Sequence, residues 1–535
     1  MSLLTYIILA PFLGALVVTL IPRDYRFAIR VVALASTLVS MILAVLMFVQ
    51  FDSAAATNGY KFLQKTPWVE SLGISYHVGV DGINVGLLLM GAIVAFAATC
   101  VSHRIEKQAK MFYLLLLVMV GGILGAFASL DLFFFYFFHE LALIPTFIMI
   151  GVWGRGEQKN YATFQITLYL SVGALIALVG LIALYVQSGL RTFDIVQLTA
   201  FLKATPLSVA SQKFIFPLLL FGFGILVSLF PFHTWAPLGY GSAPAATAML
   251  HAGVLKKFGL YGLIRIAIPF APSALREPIL SPGVVDHFPF NWLPGFAQHG
   301  LVGLGWLHFI AWLALGNILY CGWVAMRQRD FNFLLGNSSV AHMGFCFLGI
   351  ASLSFIGITG AVLVMIAHGL LAALSFGLSG YLSQETGTLE ISKLGGLLRR
   401  IPFIGTALIM AAMAGCGLPG FANFPGELLT LFGAWKTLSP FVVIAAWGAL
   451  VVGAIYMLRA VRNILHGPVP ENLPPMVDAN LWRKVPFAIL IVCLLIFGIA
   501  PRLLTKKIEP AVKEIVAMAN GKSPIAEAPK RAEAK

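Results

Sequence analysis

About fourteen apolar runs follow one another along this chain, each long enough to cross a hydrocarbon core of roughly 30 Å. They cover approximately 3–21, 28–50, 80–101, 111–129, 132–152, 161–187, 214–236, 245–268, 302–325, 334–354, 356–381, 402–433, 440–462 and 484–503. The fold class that follows is an all-α polytopic membrane protein. Composition agrees: charged residues make up 10% of the 535 residues, where a soluble domain carries about 25%. A soluble chain of this length would divide into several domains, whereas these spans make one bundle. The net charge of +14 does not point to nucleic acid, because the lysines and arginines fall in short loops between apolar runs.

Those loops set an orientation, since basic residues collect on the inner side of a membrane. One side receives Arg23, Arg26, Arg30, Arg104, Lys107, Lys110, Arg155, Lys159, Arg327, Arg329, Lys393, Arg399, Arg400, Arg459, Arg462, Arg483 and Lys484. The other receives only Lys61, Lys65, Arg191, Lys203, Lys213, Arg276 and Lys436. The excess puts both termini outside, although the basic tail at 502–535 pulls the other way. No basic region with a small-residue cleavage site opens the chain, so Leu3–Ile21 reads as a retained first helix. The cysteines, Cys100, Cys321, Cys346, Cys416 and Cys493, fall in or near spans without CxxC spacing and read as free thiols packed as small apolar groups. No iron–sulfur, haem or zinc spacing is present, so a chain without a cofactor or metal of its own is expected.

The prolines carry a repeat. Phe230-Pro-Phe-His-Thr-Trp-Ala-Pro237 interrupts the seventh span with Pro231 and Pro237, and Leu418-Pro-Gly-Phe-Ala-Asn-Phe-Pro425 interrupts the twelfth with Pro419 and Pro425. Proline removes a backbone donor and clashes with the preceding turn. Matching breaks in separate halves point to two structural repeats with discontinuous helices beside an ion path. The breaks lie five spans apart. That number is odd, so the second copy enters the membrane from the opposite side and the repeats are inverted.

Charged groups inside spans mark the chemistry, because each costs about 2.5–3.5 kcal/mol to place at the bilayer centre. Glu140 sits in Leu132-Phe-Phe-Phe-Tyr-Phe-Phe-His-Glu-Leu-Ala-Leu-Ile-Pro145. Lys256 and Lys257 lie side by side in the eighth span, and Glu427 follows the break in the twelfth. Adjacent helical residues point about 100° apart, so one lysine faces a neighbour while the other faces the interior. His233, His251, His342 and His368 also lie in spans, where imidazole passes protons at physiological pH. His139 projects off the face of Glu140 and carries less weight, and Arg265 reads as an interfacial anchor. A spanning chain with buried acids and lysines reads first as an ion or proton carrier.

The motifs as a set resemble a family. They are Gly79-Val-Asp-Gly-Ile83, Phe138-His-Glu140, Pro231-Phe-His-Thr-Trp235, Leu255-Lys-Lys257 with Tyr261-Gly-Leu-Ile-Arg265, Ser339-Val-Ala-His-Met-Gly344, Met365-Ile-Ala-His-Gly369 and Gly417-Leu-Pro-Gly-Phe-Ala-Asn-Phe-Pro-Gly-Glu427. Over nearly its whole length the chain resembles the antiporter-like subunits of proton-pumping NADH:quinone oxidoreductase, respiratory complex I. Glu427, where related chains carry lysine, makes it similar to the chain M, or chain 4, type. The resemblance implies an N-terminal three-helix segment at 1–110, a first unit at 111–268, a second inverted unit at 302–462, and a last span with tail at 463–535. It implies a polar axis through Glu140, Lys257, His342, His368 and Glu427 in a bacterial inner membrane. NADH, FMN, iron–sulfur clusters and quinone are then expected in partner subunits, and L-type and N-type antiporter-like chains as neighbours. One departure stands out. The family places a lysine five residues before the proline of Pro231-Phe-His-Thr-Trp235, and here that position is Leu226. Likewise Ala236-Pro-Leu-Gly-Tyr240 replaces Leu-Pro-Asp-Ala-His, and Phe331-Asn332 replaces a basic pair. Lys256 is then expected to take over as partner of Glu140. Two other readings stand beside the proton carrier: a subunit of a cation/proton antiporter or membrane-bound hydrogenase, and a non-pumping spacer favoured by Leu226.

Overall fold

A computed structural model describes residues 2–279 and 305–521. Its helices are α1 (Leu3–Leu20), α2 (Arg26–Gln50), α3 (Asn84–Val101), α4 (Ala109–Ala128), α5 (Leu132–Trp153), α6 (Lys159–Ser188), α7 (Ile195–Ala204), α8 (Val209–Val227), α9 (Trp235–Ser242), α10 (245–267), α11 (Trp306–Arg327), α12 (Phe331–Ala351), α13 (Phe355–Thr386), α14 (Pro402–Gly415), α15 (Asn423–Trp435), α16 (Pro440–Leu465), α17 (Leu481–Ile499) and α18 (Arg502–Ala519). Among the described residues, 12 helices are long and apolar enough to cross a membrane. The two remaining expected spans are interrupted ones, α10 with its irregular winding and the pair α14–α15. The expected start of the ninth span, 302–304, lies outside the described residues.

Burial sorts the helices into a centre and a rim. α13 lies at the centre, packed against α3, α10, α12, α15, α17 and α18. The rim helices turn bulky apolar side chains outward, among them Leu13 and Leu16 on α1, Phe164, Leu168 and Leu175 on α6, and Phe441 and Ile444 on α16. Apolar faces of this extent belong against lipid or against another apolar protein.

Both expected breaks are present and match in form. The first gap, 228–234, carries Pro231 at its middle, and the second, 416–422, carries Pro419 at the same place. Pro237 and Pro425 do not lie in the gaps. Each is the third residue of the helix that resumes, α9 and α15, where the missing N–H costs no helical bond. A second device recurs. Asp131 caps α5 by accepting from the Phe133 and Phe134 amides, and Asp330 caps α12 by accepting from those of Asn332 and Phe333. The chain before each cap pairs with the chain after the following helix. Leu132 N bonds Phe193 O at 2.8 Å and Ile195 N bonds Leu130 O at 2.8 Å; Phe331 N bonds Leu389 O at 2.9 Å and Ile391 N bonds Arg329 O at 2.8 Å. Asp330 also pairs at 3.0 Å with Arg155, just past the C-terminus of α5. The two capping devices therefore sit at opposite ends of α5, a rise of about 33 Å.

The apolar runs do not announce a three-stranded antiparallel sheet between α2 and α3: β1 (Ala56–Thr57), β2 (Tyr60–Val69) and β3 (Ile74–Val80). Nor do they announce α7 or α18, which lie outside the spans. The sheet is tied down by Asp194, the N-cap of α7, which takes Lys65 Nζ at 2.6 Å and His77 Nδ1 at 3.1 Å. Burial alone would push the Asp194 carboxyl up, but hydrogen bonds from His77 and Lys65 outweigh it and hold it at about 2. α18 closes over the same end, with Lys507 bonded to Asp52 at 2.9 Å.

Candidate functional site

The helix that carries the paired lysines is wound irregularly. Two π turns, His251–Leu255 and Leu263–Ala267, interrupt α10. Lys256 N bonds His251 O at 3.0 Å, five residues back. Ala252 O loses that donor, and Lys257 Nζ donates to it at 2.5 Å. Wide turns of this kind collect at functional sites. α10 and α13 also cross closely: a Cβ at Gly369 would fall 2.8 Å from Gly253 O. That approach brings Lys257 Nζ within 2.8 Å of His368 Nδ1.

A polar line continues from there. The rings of His368 and His342 stand 5.2 Å apart, and His342 Nε2 is 3.7 Å from Glu427 Oε1. Lys257, His368, His342 and Glu427 are all buried. Glu427 is placed by the second break: Gly417 turns with φ +65°, and a Cβ there would lie 2.5 Å from Glu427 Oε2. A proton is needed at the His342–Glu427 end. His342 Nδ1 is 2.7 Å from Ser338 O, and Nε2 is 3.3 Å from Gly415 O. Both nitrogens thus face carbonyl oxygens, and a neutral imidazole donates from only one of them. An imidazole and a carboxyl group therefore face each other, buried, among more acceptors than donors.

The other expected site residues fall elsewhere, and several readings need correction. Lys256 does not replace the missing partner of Glu140. Its ammonium lies 3.5 Å from Ser339 Oγ on α12 and 5.5 Å from the centre of the Tyr240 ring. It is also fully buried, so it does not snorkel outward. Leu226 is buried near the end of α8. Glu140 faces outward: its side chain is 28% exposed and its ionic contact is His139 Nδ1 at 3.3 Å. Its neighbour His139 is the inward residue, 2% exposed and stacked on Phe258 of α10 at 4.1 Å. Sequence reasoning had the two the wrong way round, because aromatic residues on both sides of α5 hide its buried face. Arg265 is not an interfacial anchor. It is buried in an ion pair with Asp81 of the Gly79-Val-Asp-Gly-Ile83 motif, with Tyr60 Oη accepting from it at 3.1 Å. His251 Nδ1 is 3.0 Å from Tyr240 Oη. His233 stands apart at the first break, stacked on Phe230 at 5.3 Å.

Breaks, buried lysines and the histidine–glutamate line lie in the two stretches, 129–282 and 296–453, that match the family model for the membrane part of NADH:quinone oxidoreductases and Mrp antiporters. The chain belongs to this family. Among its relatives is NADH-quinone oxidoreductase subunit M of Rickettsia bellii, 30% identical over 480 residues, which are 89% of this chain and 90% of the relative. Another is F(420)H(2) dehydrogenase subunit M of Methanosarcina mazei, 33% identical over 500 residues, 92% of this chain and 94% of the relative. A chain of respiratory complex I from Thermus thermophilus superposes with a TM-score of 0.80 at 28% identity, covering 96% of this chain and 99% of that one. Family, fold and antiporter-like membrane architecture agree with the expectations raised by the motifs.

Proposed function

We propose that the chain is the proton-carrying, antiporter-like subunit of a respiratory NADH:quinone oxidoreductase, of the chain M type. One observation carries the reading: four buried titratable side chains, Lys257, His368, His342 and Glu427, follow one another between helices broken at matching places. Such a line costs stability and gives nothing to packing, while imidazole, amine and carboxyl groups in sequence pass protons. The chain divides into a three-helix segment at 1–110, units at 111–268 and 302–462, and a last span with tail. It lies in a bacterial inner membrane with both termini outside and meets L-type and N-type relatives along its apolar rim. NADH, FMN, iron–sulfur clusters and quinone belong to partner subunits, and this chain holds no redox site. Moving one proton against 100 mV costs about 2.3 kcal/mol, and redox chemistry in those partners supplies it. That one relative is named for a different electron donor fits a membrane unit separate from the redox chemistry.

Glu427→Gln tests this. In the purified complex reconstituted into liposomes, the variant is expected to lower protons moved per NADH oxidised while the assembled complex keeps its NADH-to-acceptor activity. Unchanged pumping would favour the spacer reading, which Leu226 and the outward Glu140 support for the first unit.

A further inference from the structure

The second unit contains two cavities that share one side chain. The outer is a polar vestibule of about 270 Å³ at the end of the bundle where Gln328, Arg329, Glu390 and Arg459 gather. The inner, of about 20 Å³, is lined by His342, Cys416 and Glu427 and has room for one water. Tyr456 lines both. On α16, Tyr456, Ala460 and Asn463 fall on one face and form a wall of the vestibule. Asn463 lies near the helix end, while Tyr456 lies about 10 Å further in. The vestibule therefore runs from the basic surface toward mid-membrane and stops at the Tyr456 phenol. That hydroxyl donates to Ser338 Oγ at 2.9 Å, and Ser338 Oγ is 3.5 Å from His342 Nδ1.

We propose that Tyr456 is the relay through which protons pass between the basic end of the bundle and Glu427. This rests on the proton-carrying reading above and names its port. The step balances as a chain of exchanges. A proton from vestibule water joins Tyr456 Oη as the phenol gives its own to Ser338 Oγ. Ser338 gives its hydroxyl proton to His342 Nδ1, and His342 gives its Nε2 proton to the Glu427 carboxylate. Each relay group ends with the number of protons it began with, and Glu427 ends as the neutral acid. His342 changes tautomer in the process, ending with Nδ1–H donated to Ser338 O, the 2.7 Å contact described above. The path runs in either direction, so the port serves uptake or release. Tyr456 is the right residue for a boundary: its ring separates the inner cavity from the vestibule water while its hydroxyl stays continuous with the inner groups.

The test uses the whole complex in liposomes, with protons moved per NADH as the readout. Tyr456→Phe keeps the ring and removes only the hydroxyl. It is expected to reproduce the pumping deficit of Glu427→Gln, with the Tyr456→Phe/Glu427→Gln double variant no worse than either. Tyr456→His is expected to recover part of the loss, with a pH dependence between about 5 and 8 that the wild type lacks. Should Tyr456→Phe reduce assembly, Asn463→Trp, which plugs the mouth from an exposed position, is expected to give the same deficit. Wild-type pumping in Tyr456→Phe beside an impaired Glu427→Gln would overturn the relay and leave the carrier reading intact. Wild-type pumping in both would overturn the carrier reading and the relay with it. Equal impairment of Tyr456→Phe and Tyr456→His at every pH would assign Tyr456 a packing role and overturn the relay.

Discussion

The two broken-helix units share a framework and differ in what it holds. Each has an aspartate cap bonded to the segment beyond the next helix, and each has a gap with proline at its centre. In the second unit the break delivers Glu427 into the interior, 3.7 Å from His342. In the first unit the position before the break is Leu226, and Glu140 looks outward with His139 as its ionic contact. The shared parts are local backbone features, set by prolines and caps. The polar line depends on which of two adjacent residues faces in, so a framework can persist while its charged contents are lost or moved.

The largest expected effect falls on the second unit. Lys257→Met removes the donor to His368 Nδ1 and Ala252 O, and proton flux through the chain is expected to fall roughly tenfold or more, read as dye quenching in liposomes. A similar loss from Glu140→Gln would break the contrast between the units. Next comes the clasp joining the sheet to α10. Arg265→Leu leaves Asp81 buried and unpaired, which costs about 3–5 kcal/mol. The measure is the amount of intact complex that survives a detergent challenge, and Asp81→Asn/Arg265→Leu together are expected to cost less than Arg265→Leu alone.

A smaller effect follows from Asp194. Its carboxyl is held at about 2 in the fold, against about 3.9 when free. The proton binds the unfolded form more readily, so the stabilisation is complete above about pH 4 and is lost as pH falls toward 2. About 2 kcal/mol is at stake, visible as a falling amide-exchange protection factor, corrected for the intrinsic rate at each pH, in Ile195–Ala204 on acidification. Asp194→Asn is expected to abolish that dependence. The smallest change is expected from Leu226→Lys. With Glu140 turned outward, restoring a lysine at Leu226 alone is expected to alter pumping by less than about twofold. A larger gain would mean that the first unit needs only its cation.

Much of this was legible from residues in order along the chain. Apolar length marked the spans, and Pro231 and Pro419 marked the interruptions, while Pro237 and Pro425 fell in the helices that resume. The position of Glu427 just beyond a break put it in the interior. What could not be read was rotation. His139 and Glu140 differ by about 100° around α5, and Leu132, Phe133, Phe134 and Phe135 supply apolar surface on every side, so no stripe tells the faces apart. Lys256 and Lys257 pose the same problem, made worse by a winding that no composition announces. The partner of Arg265 lay nearly two hundred residues away in Asp81, a pairing that packing alone reveals. The sheet was hidden because Tyr60–Val80 is short and sits between much stronger apolar signals.

The π turn at His251–Leu255 has a consequence for how this chain tolerates change. A bond reaching five residues back encloses one residue more than an α turn, so α10 holds a spare residue just ahead of its lysines. Deleting Val254 would let the helix close to regular winding without shortening its span by a full step. The wide turn already accommodates the extra residue, so the side chains beyond it would keep their facing and Lys257 would stay beside His368. What would change is Ala252 O, which would regain a backbone donor and release the Lys257 ammonium that now bonds it. The spare residue is thus what ties this lysine to its own helix as well as to the polar line.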